Sequence, residues 1–275
     1  MVERSSKSQL KDLARVLGEN DMSVLKLIRM CRYLTTRQVS RLYFSDSPSG
    51  EAALKAAHRC LKKLKGYALL ETLDRRIGGI RGGSGSFIWR LSSSGEHFLR
   101  LADKSSKPRR RLIDPSPQFT KHLLAVSECY VRITEICAAE KVKLSELLFE
   151  PDCWRPYNKG GEVATLRPDL FVATVCGGYE DRWFFELDLD TESPVRIMDK
   201  CRRYQQYYQS GLEQKQYGVF PLVVFVVPDT ARKESIAQSI QKEFSKLPRI
   251  FGVILPDELG ALIVRGACTA TGGCK

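Results

Sequence analysis

Residues 222–227 form an unbroken apolar run, Leu-Val-Val-Phe-Val-Val, that leaves few folds open to the second half of the chain. A run of this length and β-branched composition is typical of a strand buried on both faces. A helix is predicted before it, from Pro194, which suits a first turn, to about residue 210. Another strand is predicted over residues 182–190. This order of strand, helix and strand pairs the two strands in parallel and predicts an α/β domain.

A β-hairpin is predicted just before this crossover, with its turn at Gly177 and Gly178, so the central sheet is expected to be mixed. If the turn is centred between the two glycines, Asp169 and Glu186 lie opposite each other, with Cβ atoms roughly 4.5–5.5 Å apart. Two carboxylates this close repel each other unless a cation or a shared proton lies between them. Oxygen ligands in this arrangement suit Mg²⁺ or Mn²⁺.

Two further acids follow Glu186 on the same predicted strand. Side chains alternate along a strand, so Asp188 and Asp190 share the face of Glu186, and the apolar residues between them face the core. The three acids therefore form a predicted acidic ladder on one face of the strand. The alternative is a solvated acidic edge of the sheet.

The first half of the chain shows helical spacing in three segments and then changes period. Helices are predicted over residues 21–34, 37–44 and 51–65, followed by strands over 67–73 and 86–91. A Gly- and Arg-rich loop separates the strands, and one more helix begins at Ser94. Three helices followed by a hairpin is the order of a winged helix-turn-helix, whose third helix enters the major groove of DNA. Some such modules instead bind proteins or dimerise.

The predicted third helix and the loop both carry basic residues suited to contacting phosphates. Their charge neutralises phosphates and releases counterions, which makes binding sensitive to salt. The candidate DNA-binding residues are Lys55, His58, Arg59, Lys62 and Lys63 on the helix, and Arg75, Arg76 and Arg81 on the loop.

The charge is unevenly distributed along the chain. Residues 1–112 hold 24 Lys and Arg against 10 Asp and Glu, a balance of +14, and the remainder carries −2, which gives the net charge of +12. Such asymmetry favours a nucleic-acid-binding module beside a domain with another task. The polar segment around Pro108, with three arginines at 109–111, predicts a linker. We therefore expect a DNA-binding domain with a basic linker over 1–112 and an α/β domain over 113–275.

The remaining composition indicates a cytoplasmic protein. No apolar run approaches the roughly 20 residues needed to cross a bilayer, and the first residues are polar, so we expect neither a membrane span nor secretion. The nine cysteines include no CxxC pair and are expected to be free thiols in a reducing compartment.

Three segments of the second half resemble the PD-(D/E)XK nuclease superfamily: Arg167-Pro168-Asp169, the run from Phe184 to Glu192, and Lys200 to Tyr204. Over most of residues 20–255 the chain is similar to the replication-relaxation family of bacterial mobile elements. The resemblance implies an α+β winged helix-turn-helix followed by an α/β PD-(D/E)XK nuclease-like domain.

The same resemblance implies roles for individual residues. Asp169 and Glu186 fall on the metal-binding acids, and Glu128 is a weaker candidate for a further acid. The superfamily places a lysine two residues after its second acid, whereas this chain has Asp188 there. Lys200 on the next helix is the candidate replacement, with a solvated helix lysine as the alternative. The resemblance thus gives Asp169, Glu186, Asp188 and Lys200 as catalytic candidates. Without the lysine, Asp188 is a candidate third metal ligand beside Asp169 and Glu186, or it marks a site that binds DNA or a partner without cutting.

Three functions follow from these observations. The first is a DNA-binding accessory protein of a plasmid or other mobile element. Its expected partners are double-stranded DNA, a relaxase or replication protein, and a second copy of the chain. The second is an active metal-dependent endonuclease or nickase that uses Mg²⁺ or Mn²⁺. The third is a winged-helix transcriptional regulator. The uneven charge supports all three, and the acidic cluster separates them.

Overall fold

The computed structural model describes residues 12–13, 15–73, 87–103, 115–246 and 248–266. The chain divides into two compact units, with the division between Val131 and Arg132. This division falls inside one helix, Pro117–Ala139. The predicted boundary at residue 112 lies outside the described ranges, so the assignment of two domains at that point stays a prediction.

The first unit contains a helical part and a small antiparallel sheet. Three strands pair in the order β1-β3-β2, and α5 continues into the second unit. The elements are α1 (Glu19–Cys31), β1 (Leu34–Thr35), α2 (Thr36–Tyr43), α3 (Gly50–Gly66), β2 (Leu70–Thr72), β3 (Ile88–Leu91), α4 (Ser93–Ala102) and α5 (Pro117–Ala139).

The order of three helices and two later strands agrees with the sequence prediction, but the first helix ends earlier than predicted. Arg32 has a φ of 66°, which is incompatible with a continuing α-helix, and Leu34 instead pairs with Trp89 in the sheet. Thr35 then begins α2, because its side chain accepts a hydrogen bond from the backbone N–H of Gln38.

One stripe of α3 anchors the helix in the first unit. Small and branched side chains at spacings of three and four are buried along it, namely Ala53, Ala57, Leu61 and Leu64. Trp89 of β3 is also buried, and its indole N–H donates a hydrogen bond of 2.9 Å to Thr36 Oγ1. The face of α3 opposite this stripe therefore carries the residues available to a partner.

The second unit is built on a five-stranded sheet in the order β10-β9-β8-β7-β4. A separate two-stranded hairpin, β5-β6, was not predicted. The elements after α5 are β4 (Lys143–Phe149), β5 (Arg155–Lys159), β6 (Glu162–Leu166), β7 (Leu170–Cys176), β8 (Tyr179–Leu187), α6 (Pro194–Gln209), α7 (Leu212–Tyr217), β9 (Leu222–Val226), α8 (Thr230–Phe244), β10 (Phe251–Ile254), a 3₁₀ turn (Pro256–Glu258) and α9 (Leu259–Arg265).

The pairing of strands confirms the mixed sheet. β8 and β9 are parallel, as the crossover through α6 predicts, whereas β7 and β8 are antiparallel. Cys176 pairs with Tyr179, so the turn is centred between Gly177 and Gly178, both with positive φ. The predicted register is therefore present from Leu170–Phe185 to Cys176–Tyr179. The predicted pair of Asp169 and Glu186 lies just beyond these pairs.

The predicted extension of β8 to Asp190 is wrong, because the strand ends at Leu187. Asp188 keeps one backbone hydrogen bond to Val226 O, and Asp190 then turns to a φ of 58°. Asp188 and Asp190 consequently belong to the loop between β8 and α6 and do not form an acidic ladder with Glu186.

Both faces of the central sheet are buried, as expected for strands in this position. On the face of α6, Phe184 packs against Tyr204 with ring centroids 5.8 Å apart, and Cys201 is fully buried in the same apolar cluster. Leu166 at the end of β6 belongs to this cluster as well. Within the described ranges, no helix has the length and apolar character needed to span a membrane.

Candidate functional site

Asp169 stands directly before β7 and is held by the neighbouring strand. Its backbone N–H donates to the carbonyl of Phe185 at 3.2 Å, the residue that is paired with Leu170 at the end of the hairpin. Its carboxylate Oδ2 accepts a hydrogen bond of 2.8 Å from the N–H of Leu187. The hairpin register and this hydrogen bond fix Asp169 beside Glu186.

Glu186 lies near the end of β8 and is only 2% exposed. Both of its carboxylate oxygens are bonded to side chains of α6. Lys200 Nζ lies 2.8 Å from Oε2, and the Tyr204 hydroxyl donates to Oε1 at 2.7 Å. Lys200 and Tyr204 are four residues apart, so they occupy the same side of the helix. Lys200, the candidate replacement for the missing lysine, thus contacts Glu186, while its catalytic role stays a prediction.

Burial and neighbouring charges shift the pKa values of Glu186 and Lys200. Burial raises the pKa of Glu186 to about 7, opposed by the charge of Lys200 and reinforced by the nearby Asp169 carboxylate. Burial acts to lower the pKa of Lys200, but the Glu186 and Asp169 carboxylates outweigh it and raise that pKa above its ordinary value. At neutral pH the cluster thus holds a protonated lysine beside a glutamate that titrates in this range.

Asp188 is bound by an arginine that sequence reasoning missed. Arg232 Nε lies 2.6 Å from Asp188 Oδ2 and 3.4 Å from Asp190 Oδ1. A further hydrogen bond of 2.6 Å runs from Arg232 to the backbone carbonyl of Glu192. Because Asp188 is 4% exposed, Arg232 provides the counter-charge that a buried carboxylate requires.

Sequence reasoning also missed Glu192 and Tyr204. Glu192 Oε1 lies 3.0 Å from Lys200 Nζ, so the lysine bridges the carboxylates of Glu186 and Glu192. Tyr204 could have been found from its spacing, four residues after Lys200 on one helix face. Arg232 gives no such signal, since it lies 44 residues after Asp188 and only the fold brings them together.

The side chains around Glu186 determine whether the expected Mg²⁺ or Mn²⁺ could bind there. The part of the chain that the structure describes contains no group of three or more His, Cys, Asp or Glu side chains able to hold a metal ion. Asp169 and Glu186 supply oxygen donors, the ligand type that Mg²⁺ prefers. Both Glu186 oxygens are bonded to Lys200 and Tyr204, so the two acids would hold the ion only if those bonds give way. Asp188 does not fit this role while Arg232 binds its carboxylate. Glu128 is engaged in the first unit, by Arg41 at 2.5 Å and Gln38 at 3.1 Å.

The predicted DNA-contacting residues of α3 differ in their surroundings. Arg59 and Lys62 are exposed and have no ion pair or side-chain hydrogen bond to any residue that the structure describes. Lys63 instead pairs at 2.6 Å with Asp21, whose side chain is only 8% exposed. Lys55 forms an exposed pair with Glu51, and the His58 ring lies 6.3 Å from the ring of Phe87. Arg75, Arg76 and Arg81 lie outside the described residues.

Comparison with known proteins identifies the family. The family model described as replication-relaxation matches residues 25–223, which include α3 and the cluster around Glu186. The chain belongs to the replication-relaxation family. No match to this replication-relaxation protein was found among curated proteins.

A crystal structure of protein VC1899 from Vibrio cholerae is similar over 95% of this chain and 56% of that chain, with 14% sequence identity and a TM-score of 0.31. The replication-relaxation protein thus spans little more than half the length of VC1899.

Proposed function

We propose that this chain binds double-stranded DNA through α3 and serves the replication or relaxation of a mobile genetic element. The observation that carries the proposal is the exposed side of α3, where Arg59 and Lys62 stand without a carboxylate partner among the described residues. The opposite side of the same helix is buried against the first unit. A firmly anchored helix that presents unpaired cations is suited to a polyanion.

The arrangement of the first unit supports duplex DNA as that polyanion. Three helices followed by strands is the order of a winged helix-turn-helix, in which the third helix lies in the major groove. Arg59 and Lys62 would neutralise phosphates or contact guanine edges. In this proposal the loop arginines at 75, 76 and 81 contact the neighbouring backbone. The family theme adds a relaxase or replication protein, and a second copy of the chain, as proposed partners.

The test is equilibrium binding to a short duplex over a range of salt concentrations. The affinity of the unaltered chain should fall steeply with salt, and the double variant Arg59→Ala with Lys62→Ala should bind more weakly and with a smaller slope. Lys242→Ala with Lys246→Ala, two exposed lysines of the second unit, is the matched control and should bind like the unaltered chain. An affinity that is insensitive to salt, or unchanged in the α3 variant, would contradict the proposal.

A second candidate function is metal-dependent cleavage of DNA, and the contact between Lys200 and Glu186 favours it. Asp169 and Glu186 would hold Mg²⁺ or Mn²⁺, which when bound lowers the pKa of a water and stabilises charge on phosphate. Lys200, protonated and 28% exposed, would place its positive charge beside a phosphate that approaches the carboxylates. Tyr204 would hold the Glu186 carboxylate in place through its hydroxyl.

Incubation of supercoiled plasmid with Mg²⁺ or Mn²⁺ tests this candidate. Nicked or linear product is expected from the unaltered chain, and Glu186→Gln should abolish it while leaving duplex binding intact. Arg202→Ala provides a control, because Arg202 is exposed on α6 and pairs with Glu243 and Asp199. Intact plasmid at high protein and metal concentrations would refute cleavage and leave the DNA-binding proposal standing.

A further inference from the structure

The region around the Lys200–Glu186 pair is poorly suited to a nucleic acid unless other cations adjoin it. Five carboxylates lie around two cations: Lys200 pairs with Glu186 and Glu192 and is near Asp169, and Arg232 pairs with Asp188 and Asp190. An approaching phosphodiester backbone would meet an excess of negative charge there. Any DNA strand that reaches this cluster therefore needs further positive groups at its rim.

Two arginines of α6 meet this requirement. Arg196 and Arg203 flank Lys200 at spacings of four and three residues, so at 3.6 residues per turn the three side chains share an arc of about 60°. Both arginines are exposed, and neither has an ion pair or a side-chain hydrogen bond within the described ranges. Seven residues of helix place them about 10 Å apart along α6, a length that spans several nucleotides of one strand.

The neighbouring Arg202 is also exposed but, unlike Arg196 and Arg203, it is paired. Arg202 lies on the other flank of the helix and is bound by Glu243 at 2.7 Å and by Asp199 at 2.6 Å. Arg155 of β5 is likewise paired, with Glu213 at 3.0 Å. The unpaired state of Arg196 and Arg203 is thus not shared by Arg202 or Arg155.

A third exposed arginine stands just before Asp169 in the chain. Arg167 is exposed, stands two residues before Asp169, and places its guanidinium carbon 4.7 Å from the centre of the Trp154 ring. Trp154 packs against the apolar cluster that also contains Cys201 and Tyr204 of α6. Stacking on an aromatic face limits the conformations of the side chain while leaving its N–H groups for an anion.

We propose that Arg167, Arg196 and Arg203 form a second DNA-binding surface, which holds the phosphates of one strand beside the Lys200–Glu186 pair. This surface, here called the arginine rim, deepens the proposed function and rests on DNA being the partner. It acts by binding, so it is present whether or not the chain cleaves DNA. In this arrangement α3 binds the duplex and the arginine rim binds backbone in the second unit.

Salt-dependent binding of the full chain to a duplex separates this inference from the proposal for α3. The double variant Arg196→Ala with Arg203→Ala loses two phosphate contacts, so we expect it to bind the duplex more weakly. The magnitude of its slope of log affinity against log salt concentration should fall by about 1.8. Arg202→Ala is the matched control on the same helix and should leave the slope unchanged. Arg167→Ala should reduce the slope by about 0.9.

The outcomes distinguish the two surfaces. A normal slope in the Arg196 and Arg203 variant, together with a reduced slope in the Arg59 and Lys62 variant, overturns the arginine rim and leaves α3 as the binding surface. A reduced slope in the α6 variant with no effect of the α3 variant supports the rim and contradicts the proposed role of α3. If Arg202→Ala lost as much affinity and slope as the variant of Arg196 and Arg203, the arginine rim would also be overturned. That result would show that any loss of positive charge on α6 weakens binding. No binding by the unaltered chain overturns both.

Discussion

The ammonium nitrogen of Lys200 lies 2.8 Å from Oε2 of Glu186 and provides the counter-charge for a carboxylate that is almost wholly buried. Burying an ionised group is costly unless it is paired and hydrogen-bonded. Here both carboxylate oxygens have partners, since the Tyr204 hydroxyl bonds to the other one. The contact therefore contributes to stability as well as to the chemistry proposed for the site.

Removal of the lysine charge should destabilise the second unit. Lys200→Met leaves Glu186 without its cation and should lower the free energy of unfolding by about 1–3 kcal/mol. Urea denaturation measures this change. The double variant Lys200→Met with Glu186→Gln should lose less than the sum of the single variants, because the glutamine carries no charge. Additive losses would show that the two side chains do not depend on each other.

The raised pKa of Glu186 predicts a pH dependence of stability with a definite sign. Its folded-state pKa is about 7 against an ordinary 4.5, so the folded state binds this proton more tightly than the unfolded state. The resulting contribution is fully present below the ordinary pKa and is lost as the pH rises through about 7. We expect the unaltered chain to lose stability relative to Glu186→Gln over this interval, in urea denaturation at several pH values. If the free energy of unfolding changed with pH in the same way in both chains, the raised pKa of Glu186 would be contradicted. Glu234→Gln, a change at an exposed glutamate, serves as the control.

Much of the second unit could be predicted from local pattern. The adjacent glycines at 177 and 178 determine the turn, so the register from Cys176–Tyr179 to Leu170–Phe185 follows from counting. The apolar run of β9 and the proline at the start of α6 likewise define the crossover. In each case a strong local signal agrees with the tertiary structure.

The surroundings of the charged residues could not be predicted in the same way. The sequence pattern predicts Lys63 as one more DNA-binding cation of α3, yet Lys63 pairs with Asp21, 42 positions earlier. Asp188 is a candidate metal ligand by its sequence position, yet its carboxylate is bound by Arg232, which lies at the start of α8. Such pairs depend on which helices pack together, and no periodicity of a single segment carries that information.

The two adjacent lysines of α3 should therefore respond differently to substitution. Lys63→Met removes the cation beside the nearly buried Asp21 and should cost about 1 kcal/mol of stability, a value kept low because Lys63 itself is 43% exposed. Lys62→Met should leave stability nearly unchanged and weaken duplex binding. Thermal unfolding and DNA-binding titrations on the two variants test this contrast. Equal stability of both would argue against a structural role for the Lys63–Asp21 pair.

Arg232 should be required for the loop that carries Asp188. The side chains of Arg232 and Asp188 are 11% and 2% exposed, so Arg232→Met leaves a buried carboxylate without its counter-charge and should cost about 3–5 kcal/mol. Asp188→Asn in the same chain removes that charge and should restore a large part of the stability. Urea denaturation of the two single variants and the double variant measures the coupling. If Asp188→Asn does not rescue Arg232→Met, the arginine stabilises the loop through its bond to the Glu192 carbonyl and not through Asp188.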